Sequence, residues 1–439
     1  MTSTPTGRLG LPSAVGLAVA TMIGSGVFVT SGLLARDLSP AAILLEWLLG
    51  GVLAACGASC YAAVAAHVPR SGGEYRFLHD LYHPFAGYAA GWVTIVFGFA
   101  APIAMAAMAA GAYAEALGAR GFALPIALAL VIGLGAVQAS GLRWGVALQN
   151  LGVVVKVATI LLFAGAALFS GILDPARVLP TPAVLAELSS MPFAVGQIYV
   201  GFAFTGWSAA VYMASEVEDP ARNVPRAMWL GCGLVAGIYL LLNFVFVSAL
   251  SSAELATVAQ SQSSALTLGH LVAVRLLGPA GGTLASVMVL AVLVSSVVAM
   301  SMTGPRVCAA MAEDGYLPTW MRWGEGRWGG AGAVGLMTAL SAVMTVTNSF
   351  EALLGAVGVT LAVFGALSAC AVLRIEGLRL GRRRGVALAV YLLGAGWGVL
   401  STLEAYPMTL AWMLLTLLAA ALAYRLTSRE LPERRLGIR

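Results

Sequence analysis

The stretch Ala20-Thr-Met-Ile-Gly-Ser-Gly-Val-Phe28 lies in the middle of the first long apolar run, residues 11–34. Two glycines around a serine are unfavourable at the centre of a membrane helix, because glycine costs ~1 kcal/mol against alanine in a helix interior. In hydrocarbon, irregular backbone is tolerated only where protein buries it or where it lines a polar cavity. The stretch therefore indicates a site where backbone groups are kept free for a ligand, as in secondary transporters.

The composition is that of a helical membrane protein. Of 439 residues, 60% are hydrophobic and 10% charged, whereas soluble domains are about 25% charged. Apolar segments of spanning length cover residues 11–36, 40–66, 84–117, 121–140, 143–171, 192–215, 226–250, 281–312, 329–348, 350–374, 384–403 and 405–425. We therefore expect an all-α membrane protein with twelve transmembrane helices in one domain, surrounded by the lipid bilayer.

The arginines predict the orientation of these helices. Nineteen of them fall in alternate loops or in the terminal segments, and four (Arg36, Arg120, Arg177 and Arg275) fall on the opposite side. Cytoplasmic loops carry the excess of basic residues. Both termini are thus expected in the cytoplasm, with the protein multi-pass in the cell inner membrane. This distribution explains the net charge of +5 without a nucleic-acid partner.

A second break is predicted in the sixth span, Gly196-Gln-Ile-Tyr-Val-Gly-Phe-Ala-Phe-Thr-Gly-Trp-Ser-Ala-Ala-Val-Tyr212, where Gly201, Thr205 and Gly206 fall near the middle. Spans one and six hold matching positions in two five-helix halves, and an odd number of spans makes the halves antiparallel. The expected transport core is residues 11–374, with inverted repeats 11–171 and 192–374, followed by helices eleven and twelve at 384–425.

Paired broken helices at matching positions indicate a binding site near the middle of the membrane. Half-helix N-termini offer N–H groups to an anion, and half-helix C-termini offer carbonyls to a cation. A zwitterion such as an amino acid satisfies both. The alternative is that these glycine-rich segments are packing faces of small residues, which are common in membrane bundles.

Five motifs resemble those of the amino acid–polyamine–organocation (APC) superfamily. Met22-Ile-Gly-Ser-Gly-Val-Phe28 is similar to its first-helix motif. Phe204-Thr-Gly-Trp207 and Glu216-Val-Glu-Asp-Pro-Ala-Arg-Asn-Val-Pro-Arg226 are similar to the sixth-helix signature of its L-amino-acid transporter branch. Pro69-Arg-Ser-Gly-Gly-Glu-Tyr75 and Ala312-Glu-Asp-Gly-Tyr-Leu-Pro318 resemble its inner-loop motifs.

The resemblance extends over residues 11–425 and implies a LeuT-type fold, with a 5+5 inverted repeat, broken helices 1 and 6, and two C-terminal helices. One departure is Ser208, where the branch usually carries Asp or Asn. By resemblance, the substrate carboxylate meets Ser25 and nearby N–H groups, and the ammonium meets carbonyls of the two breaks. The implied substrate-binding residues are Met22, Ile23, Gly24, Ser25, Gly26, Val27, Phe202, Ala203, Thr205 and Gly206.

Phe202 is expected to act as an aromatic lid on the outer side of the pocket. The alternative is a phenylalanine that faces lipid or the protein core.

Lys156 is the only lysine of the chain and lies in the fifth span. It is about nine residues from the cytoplasmic boundary, roughly 13 Å at the helical rise. An ionisable residue at this depth costs at least ~2.5 kcal/mol and is by default a functional hypothesis. We therefore expect its side chain to face the helix bundle.

The resemblance also implies a role for Lys156. In related sodium-driven transporters a sodium ion bridges the first and eighth helices, and in this superfamily a fifth-helix lysine takes that place. The expected partners are a carbonyl near Gly24 and a hydroxyl of the eighth span, with Ser296 the first candidate and Ser295 the second. Transport should then be independent of sodium. Two roles stay open for the lysine, a permanently charged strut and a proton carrier.

The acidic residues indicate the substrate class. Glu46, Glu115, Glu351 and Glu404 fall near outer helix ends, whereas Glu216, Glu313 and Asp314 fall toward the cytoplasm. The expected lining near the breaks is small and apolar: Ala100, Ala101, Ala104, Ala203 and Ala209. An uncompensated substrate charge would be unfavourable there. We therefore expect an alternating-access carrier of neutral L-amino acids, working by exchange or with a proton.

Other functions find less support in the sequence. A cationic amino acid or polyamine antiporter is the alternative within transport, and a channel is the alternative outside it, although nothing resembles a selectivity filter. The sequence contains no P-loop and no grouping of Ser, His and Asp or of metal ligands at one depth. It thus predicts no enzyme, no cofactor and no metal.

Overall fold

The computed structural model describes residues 9–140, 145–251, 253–255, 268–322, 330–378 and 380–428. These residues form helices and no strand, with one isolated β-bridge between Leu9 and Val217. The first helices are α1 Leu11–Met22, α2 Ser25–Leu34, α3 Pro40–His67, α4 Glu74–Leu81, α5 Pro84–Val93, α6 Ala101–Ala116, α7 Ala123–Ala139 and α8 Gly145–Phe169. A π-helix, Thr94–Ala100, joins α5 to α6.

After α8 come two short elements, a 3₁₀ turn at Pro175–Val178 and the helix α9 at Pro182–Glu187. The remaining helices follow them. They are α10 Met191–Ala203, α11 Ala209–Tyr212, α12 Pro220–Ala249, α13 Leu268–Thr303, α14 Pro305–Glu313, α15 Ala331–Thr347, α16 Phe350–Cys370, α17 Arg382–Ala405 and α18 Met408–Ser428. Further 3₁₀ turns lie at Ala214–Glu216, Thr319–Met321 and Ala371–Arg374.

Nine segments in the described part of the chain are long and apolar enough to cross a membrane. They are Leu11–Leu34, Pro40–His67, Pro84–Glu115, Asn150–Phe169, Pro220–Ala249, Leu268–Glu313, Phe350–Arg374, Arg382–Ala405 and Met408–Arg425. Three shorter apolar helices, α7, α10 and α15, accompany them. The chain is thus a multi-pass membrane protein, as the composition predicted.

Serines set the start of several helices. Ser39, Ser190 and Ser349 precede α3, α10 and α16, and each hydroxyl accepts a hydrogen bond from a first-turn N–H, at 3.2–3.4 Å. Such caps satisfy donors that have no partner inside the helix. The local sequence therefore defines where these three spans begin.

Packing places the first span at the centre of the molecule. α12 packs along both α3 and α1, and α8 and α13 also pack against α1. α10 contacts α2, α3 and α17. The last two helices are the least buried of the candidate spans, so they lie at the periphery.

The eighth span differs from its predicted bounds. α13 begins by Leu268, whereas the sequence predicted a span of 281–312 after an outer loop of 251–280. A kink interrupts α13 at Gly278, which has φ 68°, and Pro279 follows. Glycine adopts this conformation freely, so the chain turns here and then continues as a helix. The prediction of a loop at 268–280 was therefore wrong. A Gly-Pro pair is typical of a helix end, but here helix is present on both sides of it.

Candidate functional site

The first helix break lies between α1 and α2. α1 ends at Met22, Ile23 and Gly24 leave the helical conformation, and α2 begins at Ser25. The first N–H groups of a helix have no acceptor inside it, and no described side chain caps those of α2. The carbonyls at the end of α1, in contrast, accept hydrogen bonds from side chains of other helices.

The second break follows α10, which ends at Ala203, and α11 resumes at Ala209. Gly206 has φ 101°, a conformation that favours glycine. Its carbonyl accepts a hydrogen bond of 3.0 Å from the Thr21 hydroxyl. A Cβ placed on Gly206 would lie 2.9 Å from the Thr21 carbonyl carbon. The backbone of the second break therefore lies directly against the end of α1.

Tyr239 of α12 joins the two breaks. Its hydroxyl lies 2.6 Å from the Met22 carbonyl oxygen and 3.0 Å from that of Ala203. The rings of Trp47 and Phe204 pack on Tyr239 at centroid distances of 5.2 and 5.1 Å. Sequence reasoning missed Tyr239 because a tyrosine inside an apolar span usually belongs to the core.

A central cavity of about 140 Å³ adjoins the second break. Three of the ten predicted substrate-binding residues line it, namely Phe202, Thr205 and Gly206. The other seven do not line it: Met22, Ile23, Gly24, Ser25, Gly26, Val27 and Ala203. The physical reason is close packing between the breaks, because a Cβ on Gly26 would lie 2.7 Å from the Cβ of Ala203. Ser25 is accordingly only 3% exposed.

The wall of the cavity differs from the predicted alanine lining. Ala209 lines it, but Ala100, Ala101, Ala104 and Ala203 do not. Thr94, Gly98 and Phe99 of the π-helix take their place. A π-helix changes the angular spacing of side chains, so the side chains that this segment directs at the cavity differ from those of a regular α-helix.

Glu74 is a charged residue of the cavity wall that sequence reasoning did not select. It begins α4, and its carboxylate accepts a hydrogen bond from the Tyr212 hydroxyl. Tyr61 and Ser208 line the cavity beside it. Burial raises the pKa of the Glu74 carboxyl, while the hydrogen bond from Tyr212 opposes this increase. Only its place in the motif Pro69–Tyr75 could have indicated Glu74 from sequence.

Lys156 is buried at the end of α1, with 1% of the residue exposed. Its Nζ donates to the Ile23 carbonyl at 2.7 Å, to the Ala20 carbonyl at 3.1 Å and to the Ser296 hydroxyl at 2.8 Å. Ser296 in turn donates to the Ile23 carbonyl at 2.7 Å. The ammonium thus connects α8, α1 and α13 at the first break.

The two serines expected near Lys156 have different surroundings. Ser296 contacts the ammonium, whereas Ser295 faces α8 at Gly152, where an added Cβ would lie 2.9 Å from its Oγ. A helix turns by about 100° per residue, so neighbouring serines cannot both point at one group. Ser296 is therefore the lysine's partner in this structure.

Ion pairs join the elements around the predicted cytoplasmic end. Arg76 of α4 binds Asp314, which also accepts a hydrogen bond from Tyr75. Arg306 of α14 binds Glu216 at 3.0 Å, after the second break. These contacts hold α4, α14 and the segment after α11 together on that side of the cavity.

Glu46 has surroundings that its predicted place near an outer helix end did not suggest. It lies in the second turn of α3, is 0% exposed, and its carboxylate accepts a hydrogen bond from the Gln197 amide. Span length gives the depth of a residue, but only packing decides whether it faces lipid, water or protein. Among the described residues, no group of three or more His, Cys, Asp and Glu could hold a metal ion.

The fold and the cavity define the class of protein: it is a multi-pass helical membrane protein in which two broken helices meet beside an internal cavity. The chain belongs to the amino acid permease family, whose family model matches residues 9–438. The resemblance to the APC superfamily is thereby confirmed.

Individual relatives support this assignment. The chain is 31% identical over 321 residues to the serine/threonine exchanger SteT of Bacillus subtilis, covering 71% of this chain and 69% of the relative. It is 28% identical to the large neutral amino acids transporter small subunit 2 of Rattus norvegicus, covering 71% of this chain and 59% of the relative. It is 27% identical to the Asc-type amino acid transporter 1 of Mus musculus, covering 72% and 60%. The family and these relatives are transporters, not enzymes.

Proposed function

We propose that this chain is a sodium-independent secondary transporter of neutral L-amino acids that works by alternating access, through exchange or with a proton. The proposed fold is LeuT-type, with twelve spanning helices, repeats at 11–171 and 192–374, and helices eleven and twelve at 384–425. The proposed location is the cell inner membrane, with both termini cytoplasmic. The observation that carries the proposal is the direct contact between the two helix breaks, at Gly26 against Ala203 and at Thr21 against Gly206.

The substrate site is proposed to form where these breaks meet. The N–H groups at the start of α2 would bind the carboxylate, since a helix N-terminus favours an anion. Carbonyls of Met22, Phe202, Ala203 and Thr205 would bind the ammonium. Because Gly26 packs on Ala203, the breaks must separate for a substrate to reach both groups, and such a separation is the movement that alternating access requires.

The contacts of Lys156 support the proposed sodium independence. Its ammonium occupies the space between the Ile23 carbonyl and the Ser296 hydroxyl. These are the oxygens that a cation between the first and eighth spans would use. A second positive charge beside a buried ammonium would be strongly unfavourable. We therefore propose that the lysine replaces the ion.

Glu74 favours a second candidate, transport of cationic amino acids or polyamines. A carboxylate in the cavity wall could pair with the additional positive charge of such a substrate. Its hydrogen bond from Tyr212 gives the carboxylate a partner without that substrate, so neutral substrates remain the first proposal.

Transport by purified protein in liposomes tests these proposals. We expect uptake of radiolabelled alanine, serine or leucine, at equal rates when potassium replaces sodium in all buffers. If no neutral amino acid moves, the proposed substrate class is wrong. Competition by arginine or putrescine but not by alanine would favour the second candidate. A thermal-shift screen of the twenty amino acids identifies which of them bind, because a ligand of the native state raises the melting temperature.

A further inference from the structure

Glu46 and Gln197 form a buried polar pair between α3 and α10. Glu46 is 0% exposed and Gln197 is 4% exposed. The Gln197 amide nitrogen donates both to the Glu46 carboxylate and to the Glu46 backbone carbonyl. No other described residue makes a hydrogen bond or an ion pair with this carboxylate. A buried carboxylate without a cation is strongly disfavoured.

Among the described residues, the pair has fewer hydrogen-bond donors than acceptors. Glu46 Oε1 and Gln197 Oε1 are both buried, and neither has a hydrogen-bond partner in the described part of the chain. Because an ionised carboxylate only accepts hydrogen bonds, the pair has more acceptors than its one amide nitrogen can serve. A proton on the carboxyl group converts one oxygen into a donor and removes the charge. Protonation therefore satisfies this pair better than ionisation does.

The pair lies in the wall between two cavities. Gln197 lines the central cavity beside the second break. On the other side, Glu46 Oε1 would lie 2.7 Å from a Cβ placed on Gly196, and Gly196 lines an outer cavity of about 190 Å³ with Arg36 and Asp37. A small displacement of α10 could thus expose the carboxyl to either cavity.

We propose that Glu46 is the residue that binds a co-transported proton, with Gln197 positioning its carboxyl. In this step the carboxylate takes up one proton from the outer side and releases it to the inner side in each transport cycle, and no other bond is made or broken. This inference rests on the proposed amino acid transport. It selects proton coupling over pure exchange, and it assigns the proton to a residue other than Lys156.

The other titratable groups near this pair already have partners or lie on other surfaces. Arg36 binds Glu351 at 2.9 Å, Glu187 accepts from the Ser39 N–H at 2.9 Å, and Tyr239 contacts the two breaks. The further groups on packed elements are Asp37 after α2, Tyr199 on α10, and Tyr391 and Glu404 on α17. Neither a hydrogen bond nor an ion pair links any of these groups to Glu46 in the described residues.

The experiment compares two assays in liposomes containing purified wild type, Glu46→Gln or Glu404→Gln. Counterflow of a neutral amino acid without any ion gradient tests transport itself. Accumulation driven by an inward proton gradient tests coupling, and one proton per substrate supports at most about tenfold accumulation per pH unit. Glutamine keeps the size of Glu46 but cannot release a proton. Glu404 is exposed, so Glu404→Gln is the control.

We expect wild type and Glu404→Gln to accumulate substrate up to about tenfold, and Glu46→Gln to show counterflow without accumulation. The inference is overturned if the wild type shows counterflow but ignores the proton gradient, if a sodium gradient drives uptake instead, or if Glu46→Gln still accumulates substrate. Absence of counterflow in the wild type contradicts the proposed function itself.

If Glu46→Gln is inactive in both assays, two further variants test whether Glu46 is the proton site. Gln197→Leu removes the amide that stabilises the carboxylate, so the pH of half-maximal uptake should rise. Glu46→Asp keeps a titratable group and should restore accumulation with an altered pH profile. A pH profile equal to wild type in both variants would exclude Glu46 as the proton site.

Discussion

Lys156 is a buried ionisable residue whose described partners are neutral. Its ammonium donates to two carbonyls and one hydroxyl, and these contacts use all three of its protons. Removing one partner leaves a buried charge that is less well solvated. Each hydrogen bond to a charged group contributes about 1.5–3 kcal/mol. The lysine and Ser296 should therefore affect both the stability of the first break and transport.

Ser296→Ala and Ser295→Ala form a matched pair that tests this contact. We expect Ser296→Ala to lower the melting temperature and to slow uptake about tenfold, which corresponds to about 1.4 kcal/mol. Ser295→Ala should behave like wild type, because Ser295 faces Gly152. Thermal unfolding in detergent and uptake into liposomes provide the measurements. Equal effects of the two substitutions would show that the contact with Lys156 is not important.

Gly26 illustrates a steric requirement at the first break. A Cβ at this position would lie 2.7 Å from Ala203 Cβ and 2.8 Å from Ala203 Cα. Real Cβ atoms do not approach so closely, and backbone cannot rotate away as a flexible side chain would. Glycine weakens the helix here, but the absence of a Cβ allows the two breaks to make contact.

We expect Gly26→Ala to destabilise the protein by about 1–3 kcal/mol, the usual cost of overpacking, and to abolish most uptake. Gly133→Ala is the control, since no atom of the described residues lies within 4 Å of a Cβ at that exposed position of α7. The melting temperature and initial uptake rate should change only for Gly26→Ala. Normal transport by this variant would show that the breaks need not be in contact.

At the level of elements, local composition was sufficient to predict both breaks. Glycine lowers helix propensity; Gly24 and Gly206 lie in the breaks themselves, whereas Gly26 and Gly201 lie inside α2 and α10. Local sequence does not determine which face of a helix lines the cavity. The π-helix at Thr94–Ala100 replaces alanines in the cavity wall by Thr94, Gly98 and Phe99, and no composition signal marks it. Glu46 likewise depends on which neighbour covers it, which is a property of packing.

An ion pair joins Arg76 of the short helix α4 to Asp314, the residue that follows α14. This pair is more buried than the pair between Arg36 and Glu351. The Arg76 and Asp314 side chains are 7% and 28% exposed, whereas Arg36 and Glu351 are 39% and 57% exposed. Exposed pairs contribute little because water and salt screen them. The Arg76–Asp314 pair should therefore contribute more to holding these elements together.

A double-mutant cycle with Arg76→Gln and Asp314→Asn measures that contribution. We expect a coupling energy of about 1–3 kcal/mol, within the range for residues that share a network. The control cycle, Arg36→Gln with Glu351→Gln, should give about 0.5 kcal/mol or less. Both coupling energies are measured by denaturation of purified protein in detergent. A coupling near zero for the first pair would mean that α4 is held by packing alone.

At the scale of the whole molecule, the fold divides into a buried centre and a peripheral pair. The first span is the most buried candidate, and α17 and α18 are the least buried. Lys156, Tyr239 and Glu46 lie in α8, α12 and α3, and none of the three lies in the peripheral pair. Hydropathy identifies the central and the peripheral segments alike as candidate spans, but it does not distinguish a central helix from a peripheral one.

The orientation across the membrane remains a prediction from the arginines, and surface positions on opposite sides can test it. In a variant without the five native cysteines, Ala176→Cys and Glu376→Cys place one thiol on each predicted side, at exposed positions. An impermeant maleimide should label Ala176→Cys in intact cells and Glu376→Cys only after permeabilisation. The physical reason is that basic loops stay in the cytoplasm during insertion. The reverse labelling pattern would place both termini outside, and the outer cavity beside Glu46 would then face the cytoplasm.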